Sequence, residues 1–323
     1  MVIKIIMLSI LALIGVVAGK TGYLPENSGV FLSRVVIKVT TPILILTTMA
    51  GRKFTIEELK NGVWIYLLGL VFVLLSFAIA SFACKWLKME TATKSVFKMH
   101  AMFGNVIYLA FPLIDALYGK SYGELAIAYA VFYNLANDTI LWTLGIYLVN
   151  SHNTKKWKDN LKHMINGNTI SFALGIILVL INFQGMVEHN SSLKNVYDLM
   201  YATLRPLGET TIPLSMLFIG LILSETKISG FKDVIKRYPS FILSVIKLVI
   251  MPFIAFFALK YIGGSLPHLC KGIIVIQLAM PGATIVPALA AQYESDYKFA
   301  TENVFFTTLF SLITLPLIAN LVK

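Results

Sequence analysis

The chain has 323 residues, 57% of them hydrophobic and 13% charged, and its mean hydropathy is +0.78. A soluble domain is roughly 45–50% apolar and about 25% charged. The departure excludes an ordinary cytosolic enzyme, a nucleic-acid-binding domain and a disordered chain, and it indicates an all-α polytopic membrane protein. The net charge of +11 then reads as loop charge that sets topology rather than as a nucleic-acid footprint.

A spanning helix takes about 20 mostly apolar residues, and ten apolar runs follow one another along the chain. Span 1 is Ile3–Gly19, and the turn Gly22-Tyr23-Leu24-Pro25 leads directly into span 2, Gly29–Ala50. Lys4 and Ala18 give span 1 some likeness to a signal peptide, but its apolar stretch is long and continues into a partner span. Span 3 is Gly62–Leu87, span 4 Phe97–Leu117 and span 5 Tyr122–Val149. The longest loop, Asn150–Asn168, is basic and polar. Span 6 is Thr169–Phe183, span 7 Pro206–Leu223, span 8 Pro239–Tyr261, span 9 Leu269–Gln292 and span 10 Phe299–Val322. Residues 1–149 thus form one set of five spans, 150–168 a cytoplasmic linker and 169–323 a second set of five. Cys84 and Cys270 build no disulfide framework and no metal site.

Basic residues concentrate in the loops after odd-numbered spans. Three of these hold the groups Lys85, Lys88, Lys94 and Lys98; Lys155, Lys156, Lys158 and Lys162; and Lys227, Lys232, Lys236 and Arg237. The positive-inside rule puts those loops in the cytoplasm and both termini on the other side of the cell membrane.

The halves resemble each other. Span 2 carries Thr40-Thr41-Pro42 and span 7 carries Thr210-Thr211-Ile212-Pro213. Span 4 is interrupted by Gly104-Asn105 and Pro112, span 9 by Pro281-Gly282 and Pro287. An odd number of spans per half inverts the second half in the membrane, so the pattern predicts inverted repeats with broken, crossing helices 4 and 9. Proline removes a backbone donor and blocks the carbonyl four residues earlier. In lipid such a break is tolerated only where protein or a water-filled cavity covers it. Spans 4 and 9 are therefore expected in the interior, with half-helix N-termini offering N–H groups to an anion. Ordinary proline kinks are the alternative, and the matching positions of the breaks argue against it.

At these residues the sequence resembles the auxin efflux carrier family, which includes bacterial malate and malonate permeases. The likeness rests on four stretches. They are Gly15 through Gly22-Tyr23-Leu24 to Val39-Thr40-Thr41-Pro42, Gly104-Asn105 through Phe111-Pro112-Leu113, Ala279-Met280-Pro281-Gly282-Ala283 through Ala290-Ala291-Gln292-Tyr293, and Val304 through Thr314-Leu315-Pro316. Ile107 and Ala110 stand where the family usually has glycine, and the long hydrophilic central loop of the plant exporters is missing. The resemblance implies ten helices in inverted repeats, like those of bile-acid symporters and sodium/proton antiporters. It also implies a scaffold of spans 1, 2, 6 and 7, a moving domain of spans 3–5 and 8–10, carriage of organic anions, and a homodimer formed through the scaffold.

Ionisable and polar groups inside spans are functional candidates. Substrate contacts are expected from Gly104, Asn105, Pro112, Asn134, Gln277, Pro281, Gly282 and Pro287. Asn134, Asn137 and Asp138 share one helical face. Asp138, Glu302 and Asn303 are the candidates for coupling a proton or a sodium ion, with Thr307 and Ser311 continuing the span 10 stripe. Interhelical hydrogen bonding is the alternative for both stripes, and a surface position is the alternative for Glu302. Lys38 and Glu209, each four residues before a proline, are repeat-related, with snorkelling the favoured reading for Lys38. Lys247 lies deep in span 8 and calls for a carboxylate partner that the sequence does not identify, and His100 precedes the span 4 break by one turn.

The function these features favour is a secondary transporter of small organic anions working by alternating access, with the lipid bilayer as its environment and no cofactor. A sodium-coupled symporter of bile-acid type is the alternative, with oxygen ligands from Glu302, Asn303 and Gln277. No Walker-type glycine loop and no His-Glu-x-x-His pair is present, which argues against ATP as driver and against an intramembrane metalloprotease. A scaffold or receptor without transport would carry two broken helices to no benefit.

Overall fold

The computed structural model describes residues 2–25, 28–150, 165–225 and 238–322. Among these the secondary structure is helical apart from one isolated β-bridge. In chain order the helices are α1 (Val2–Lys20), α2 (Ser28–Ala50), α3 (Ile56–Trp86), α4 (Thr91–Met102), α5 (110–122), α6 (124–149), α7 (Gly167–Leu180), α8 (Phe183–His189), α9 (Ser191–Glu209), α10 (Thr211–Glu225), α11 (Tyr238–Tyr261), α12 (His268–Leu278), α13 (Ile285–Gln292) and α14 (Tyr297–Leu321). Among the described residues five helices, counting 191–224 as one, are long and apolar enough to cross a membrane; a sixth is added if α7 and α8, bent by 57° at Asn182, count as one span. Much of the basic linker and the basic segment before α11 lie outside the described residues.

Local sequence explains where helices start and bend. Asn166 caps α7 by accepting from the N–H groups of Asn168 and Thr169, Asn190 caps α9 at Leu193, and Asp296 caps α14 at Phe299. Gly123, at φ +56°, and Asn182, at φ 52°, take the left-handed turns between α5 and α6 and between α7 and α8. Two helices carry a π turn just before a proline. In α2 it covers Val36–Thr40 ahead of Pro42, and in α11 it covers Ile246–Ile250 ahead of Pro252. Proline has no N–H and crowds the carbonyl four residues back. The chain widens instead, so that Thr41 N–H bonds to Val36 O and Met251 N–H to Ile246 O.

By internal contacts the chain forms two compact units. The first comprises Met1–Val63, Ile107–Phe132 and Ile165–Glu225. Within it α1 lies along α10. The backbones approach so closely at Gly15 and Gly220 that a Cβ on either would run into the backbone of the facing helix. Close approach of this kind uses small residues because helix association in lipid depends on packing rather than on hydrophobicity. α2 packs against α7 and α9, with Met49 over Gly175 and Leu44 over Gly208. The two Thr-Thr motifs meet here. Thr211 Oγ1 donates to Thr40 Oγ1 at 2.9 Å, with both residues buried.

The second unit comprises Trp64–Val106, Tyr133–Met164 and Thr226–Lys323. Its core gathers Val96, Met99, Met102 and Phe103 with Leu141 and Ile146 of α6, Val286 and Leu289 of α13 and Ala300 of α14. α11 packs on α12 and α14, and α4 on α14.

Candidate functional site

The second unit holds the helix breaks. α4 stops at Met102, and Phe103 turns extended at φ −101°, ψ 124° after closing the last turn through its N–H to Met99 O at 2.8 Å. α12 stops at Leu278, and the segment through Pro281 and Gly282 runs to α13. The two extended segments pair antiparallel. Asn105 N–H donates to Pro281 O at 2.8 Å, Ala283 N–H to Phe103 O at 3.1 Å, and Gly104 faces Gly282. Pro281 has no donor to contribute, so the pairing uses its carbonyl. Each break satisfies the other, which is the condition for non-helical backbone at membrane depth.

A third element completes the pairing. Gly282 N–H donates to Thr307 Oγ1 of α14 at 2.9 Å, and the same hydroxyl donates to Asn303 O at 2.6 Å. The N–H groups of Asn105, Gly282 and Ala283 are therefore all bonded within the protein. Donors for a ligand have to come from side chains or from the first turns beyond the crossing.

Both crossing glycines are set by close approach. A Cβ on Gly104 would lie 3.0 Å from Met280 Cβ, 3.3 Å from Met280 O and 3.4 Å from Lys247 Nζ. A Cβ on Gly282 would lie 2.5 Å from His100 Nδ1. The His100 ring is wholly buried and lies against the backbone of Ala300; neither of its nitrogens has a partner with hydrogen-bond geometry.

Lys247, 1% exposed, reaches from the π turn of α11 to the end of α4. Its ammonium donates to Ala101 O and Met102 O, at 3.2 Å each. These are among the last carbonyls of α4, which have no intrahelical partners and carry the negative end of the helix dipole. The partner expected from sequence was a carboxylate. Among the described residues Lys247 has none, and main-chain oxygens take that place.

The sequence-derived candidates divide as follows. Gly104, Asn105, Pro281 and Gly282 form the crossing itself. Gln277 is buried on α12 one turn before Pro281. Asn303 is wholly buried, and both its amide oxygen and its amide nitrogen lack a hydrogen bond. Asn134 donates to Asp138 Oδ2 at 3.3 Å along α6, so this stripe bonds within itself. Glu302 is half-buried in the second turn of α14, and Pro287 is half-buried in the first turn of α13. Pro112 belongs to the first unit, as the third residue of α5. Lys38 is exposed, and Glu209 pairs with Arg205 at 2.8 Å, so these two repeat-related charges do not pair with each other. Sequence reasoning singled out Thr307 only as part of a stripe. Its tie to Gly282 N–H leaves no mark in the sequence, because the partner is a main-chain group.

A family model described as membrane transport protein matches residues 1–319. The chain belongs to that family. This is the family of the auxin efflux carriers that the sequence motifs resemble. The transporter is 27% identical over 319 residues to an uncharacterized transporter of Methanocaldococcus jannaschii, covering 97% of this chain and 96% of that one. It is 22% identical over 308 residues to an uncharacterized transporter of Methanothermobacter thermautotrophicus, covering 95% and 94%. Family membership together with several membrane-length apolar helices makes it a multi-pass membrane protein.

Proposed function

We propose that this transporter carries small organic anions, carboxylates among them, across the cell membrane by alternating access at the paired helix breaks. The observation that carries the reading is Lys247, a buried cation beside Gly104 with no carboxylate partner among the described residues. A charge held at this depth is costly unless something opposes it. Two carbonyls share its protons but leave its charge uncancelled, so the crossing favours an anion. The buried, unpaired amide of Asn303 adds to the reading, since buried polar groups normally have partners.

In the same proposal the ten spans form two inverted five-helix repeats, with spans 1, 2, 6 and 7 as scaffold in a homodimer and spans 3–5 and 8–10 as the moving part. The basic loops face the cytoplasm and both termini face away from it. Thr40 and Thr211, from corresponding spans, meeting in one hydrogen bond supports the repeat relation. Asp138, Glu302 and Asn303 are the groups proposed for ion coupling.

The test is uptake of labelled mono- and dicarboxylates into proteoliposomes, with proton and sodium gradients applied separately. Saturable uptake of a carboxylate is expected. Asn105→Ala should raise the half-saturating concentration by about tenfold or more, because a charge-assisted hydrogen bond contributes roughly 1.5–3 kcal/mol and 1.4 kcal/mol is a factor of ten. No carboxylate transport, or normal affinity in Asn105→Ala, would refute the respective part.

A further inference from the structure

We infer that the Lys247 ammonium is a tethered cation standing where a free alkali ion would otherwise bind, so that the crossing is held together without sodium. The inference rests on the transport reading above for what the site is for, but its geometry and its test stand apart from that reading.

The end of a broken membrane helix presents carbonyl oxygens that no intrahelical N–H can reach. In transporters with discontinuous helices, such unwound carbonyls and C-terminal helix ends coordinate the coupling cation. Here the carbonyls of Ala101 and Met102 are in that position, immediately before the extended Phe103–Asn105 segment. Both are bonded by one side chain, Lys247, from a different helix. The lysine brings three donors, no acceptor and one positive charge, which is what an oxygen-lined cation site asks of its occupant.

Two features of the chain lie beside this side chain. First, Lys247 occupies the π turn that Pro252 imposes on α11, so a backbone irregularity lies at its root. Second, position 104 has no side chain; a Cβ there would stand 3.4 Å from Nζ and 3.0 Å from Met280 Cβ. The tether also has a thermodynamic consequence. A free cation must be drawn from solution, and its stabilising effect grows with its concentration. A covalently held amino group needs no concentration of its own.

The experiment uses purified full-length protein in detergent without any substrate. Thermal midpoints are measured across a titration of sodium chloride against choline chloride at constant ionic strength, together with equilibrium binding of radioactive sodium. Wild-type protein sets the reference response to sodium, including any from the coupling candidates Asp138, Glu302 and Asn303. Lys247→Ala removes the three terminal methylenes and the ammonium. It should be less stable in choline and should gain a midpoint that rises with the logarithm of sodium, or of n-propylammonium, which replaces the deleted atoms. Lys247→Gln keeps most of the length and adds an oxygen ligand, so it should also acquire a sodium response should the alanine variant fail to fold. A sodium response in Lys247→Ala no greater than that of the wild type would overturn the inference. So would a folded variant with identical midpoints in sodium and choline. Because no carboxylate enters these measurements, failure of the organic-anion reading would leave them unaffected, and their failure would leave that reading in place.

Discussion

Replacing Gly282 by alanine adds one methyl group at the most crowded point of the crossing. The new Cβ would stand 2.5 Å from His100 Nδ1, where an ordinary non-bonded contact needs about 3.5–4.0 Å. The imidazole cannot simply swing into solvent, because His100 is wholly buried and lies against the Ala300 backbone. Gly282 cannot retreat freely either, because its N–H is bonded to Thr307 and its neighbour Ala283 is bonded to Phe103 O. Something must move by about 1 Å, and overpacking of this kind costs about 1–3 kcal/mol. With roughly 2–4 °C of midpoint per kcal/mol for domains of 150–250 residues, the thermal midpoint should fall by about 2–12 °C. Unfolding of a membrane protein in detergent is often irreversible, so wild type and variants are compared at a single scan rate.

The decisive measurement is the cycle with His100→Ala. Removing the ring opens the space the methyl needs, so Gly282→Ala should cost less in the His100→Ala background than in the wild type. Contacting residues show coupling of about 0.5–3 kcal/mol. An unchanged midpoint in Gly282→Ala, or strict additivity with His100→Ala, would refute the claim that these two residues fix the crossing by contact.

Other outcomes follow from single interactions. Thr307→Val keeps the shape but strands the buried Gly282 N–H, and should destabilise by about 1–3 kcal/mol in the same thermal assay, while Thr307→Ser retains the acceptor and most of the stability. Thr40→Val or Thr211→Val alone should each cost about 1 kcal/mol or more, whereas the double variant should recover most of the loss because no polar group is then left unpaired. Single cysteines introduced between residues 151 and 164 should react with impermeant maleimide in inside-out vesicles and not in intact cells; labelling in intact cells would reverse the proposed orientation.

The sequence carried the breaks well, because glycine and proline act on the backbone wherever they stand. Gly104-Asn105 and Pro281-Gly282 mark the ends of α4 and α12 to within a few residues. Uniform apolar runs were legible too, and span 10 read as Phe299–Val322 is the helix Tyr297–Leu321. Hydropathy places Ser191–Glu209 outside the spans up to Pro206, and the reason is chemical. Hydropathy averages over all faces, and this helix puts Tyr197, Tyr201 and Arg205 on one side, with the tyrosine rings stacked at 5.4 Å and the guanidinium 3.1 Å from Glu124, against Val196, Leu199 and Met200 exposed elsewhere. A period near 3.6 was the signal available. The partners of Lys247 and Thr307 were beyond reach from sequence. Both are main-chain groups, which every residue has and no residue name reveals.

The two proline-induced π turns show how far a local rule extends before tertiary context takes over. Each begins six residues before a proline, and each contains a lysine. Lys38 is the third residue of its turn and is exposed; Lys247 is the second residue of its turn and is 1% exposed. One residue along a helix rotates the side chain by about 100°, so the register of lysine against proline directs the two ammonium groups to different faces. On α2 that face is open, and the charge needs no partner from the protein. On α11 it is closed by the end of α4, and burial there is tolerated only because the helix has ended and left Ala101 O and Met102 O to accept. The break in α4 and the lysine in α11 therefore depend on each other. Without the break the carbonyls would be used up within the helix and the ammonium would be unsupported; without the lysine the last carbonyls of α4 would be buried and unpaired.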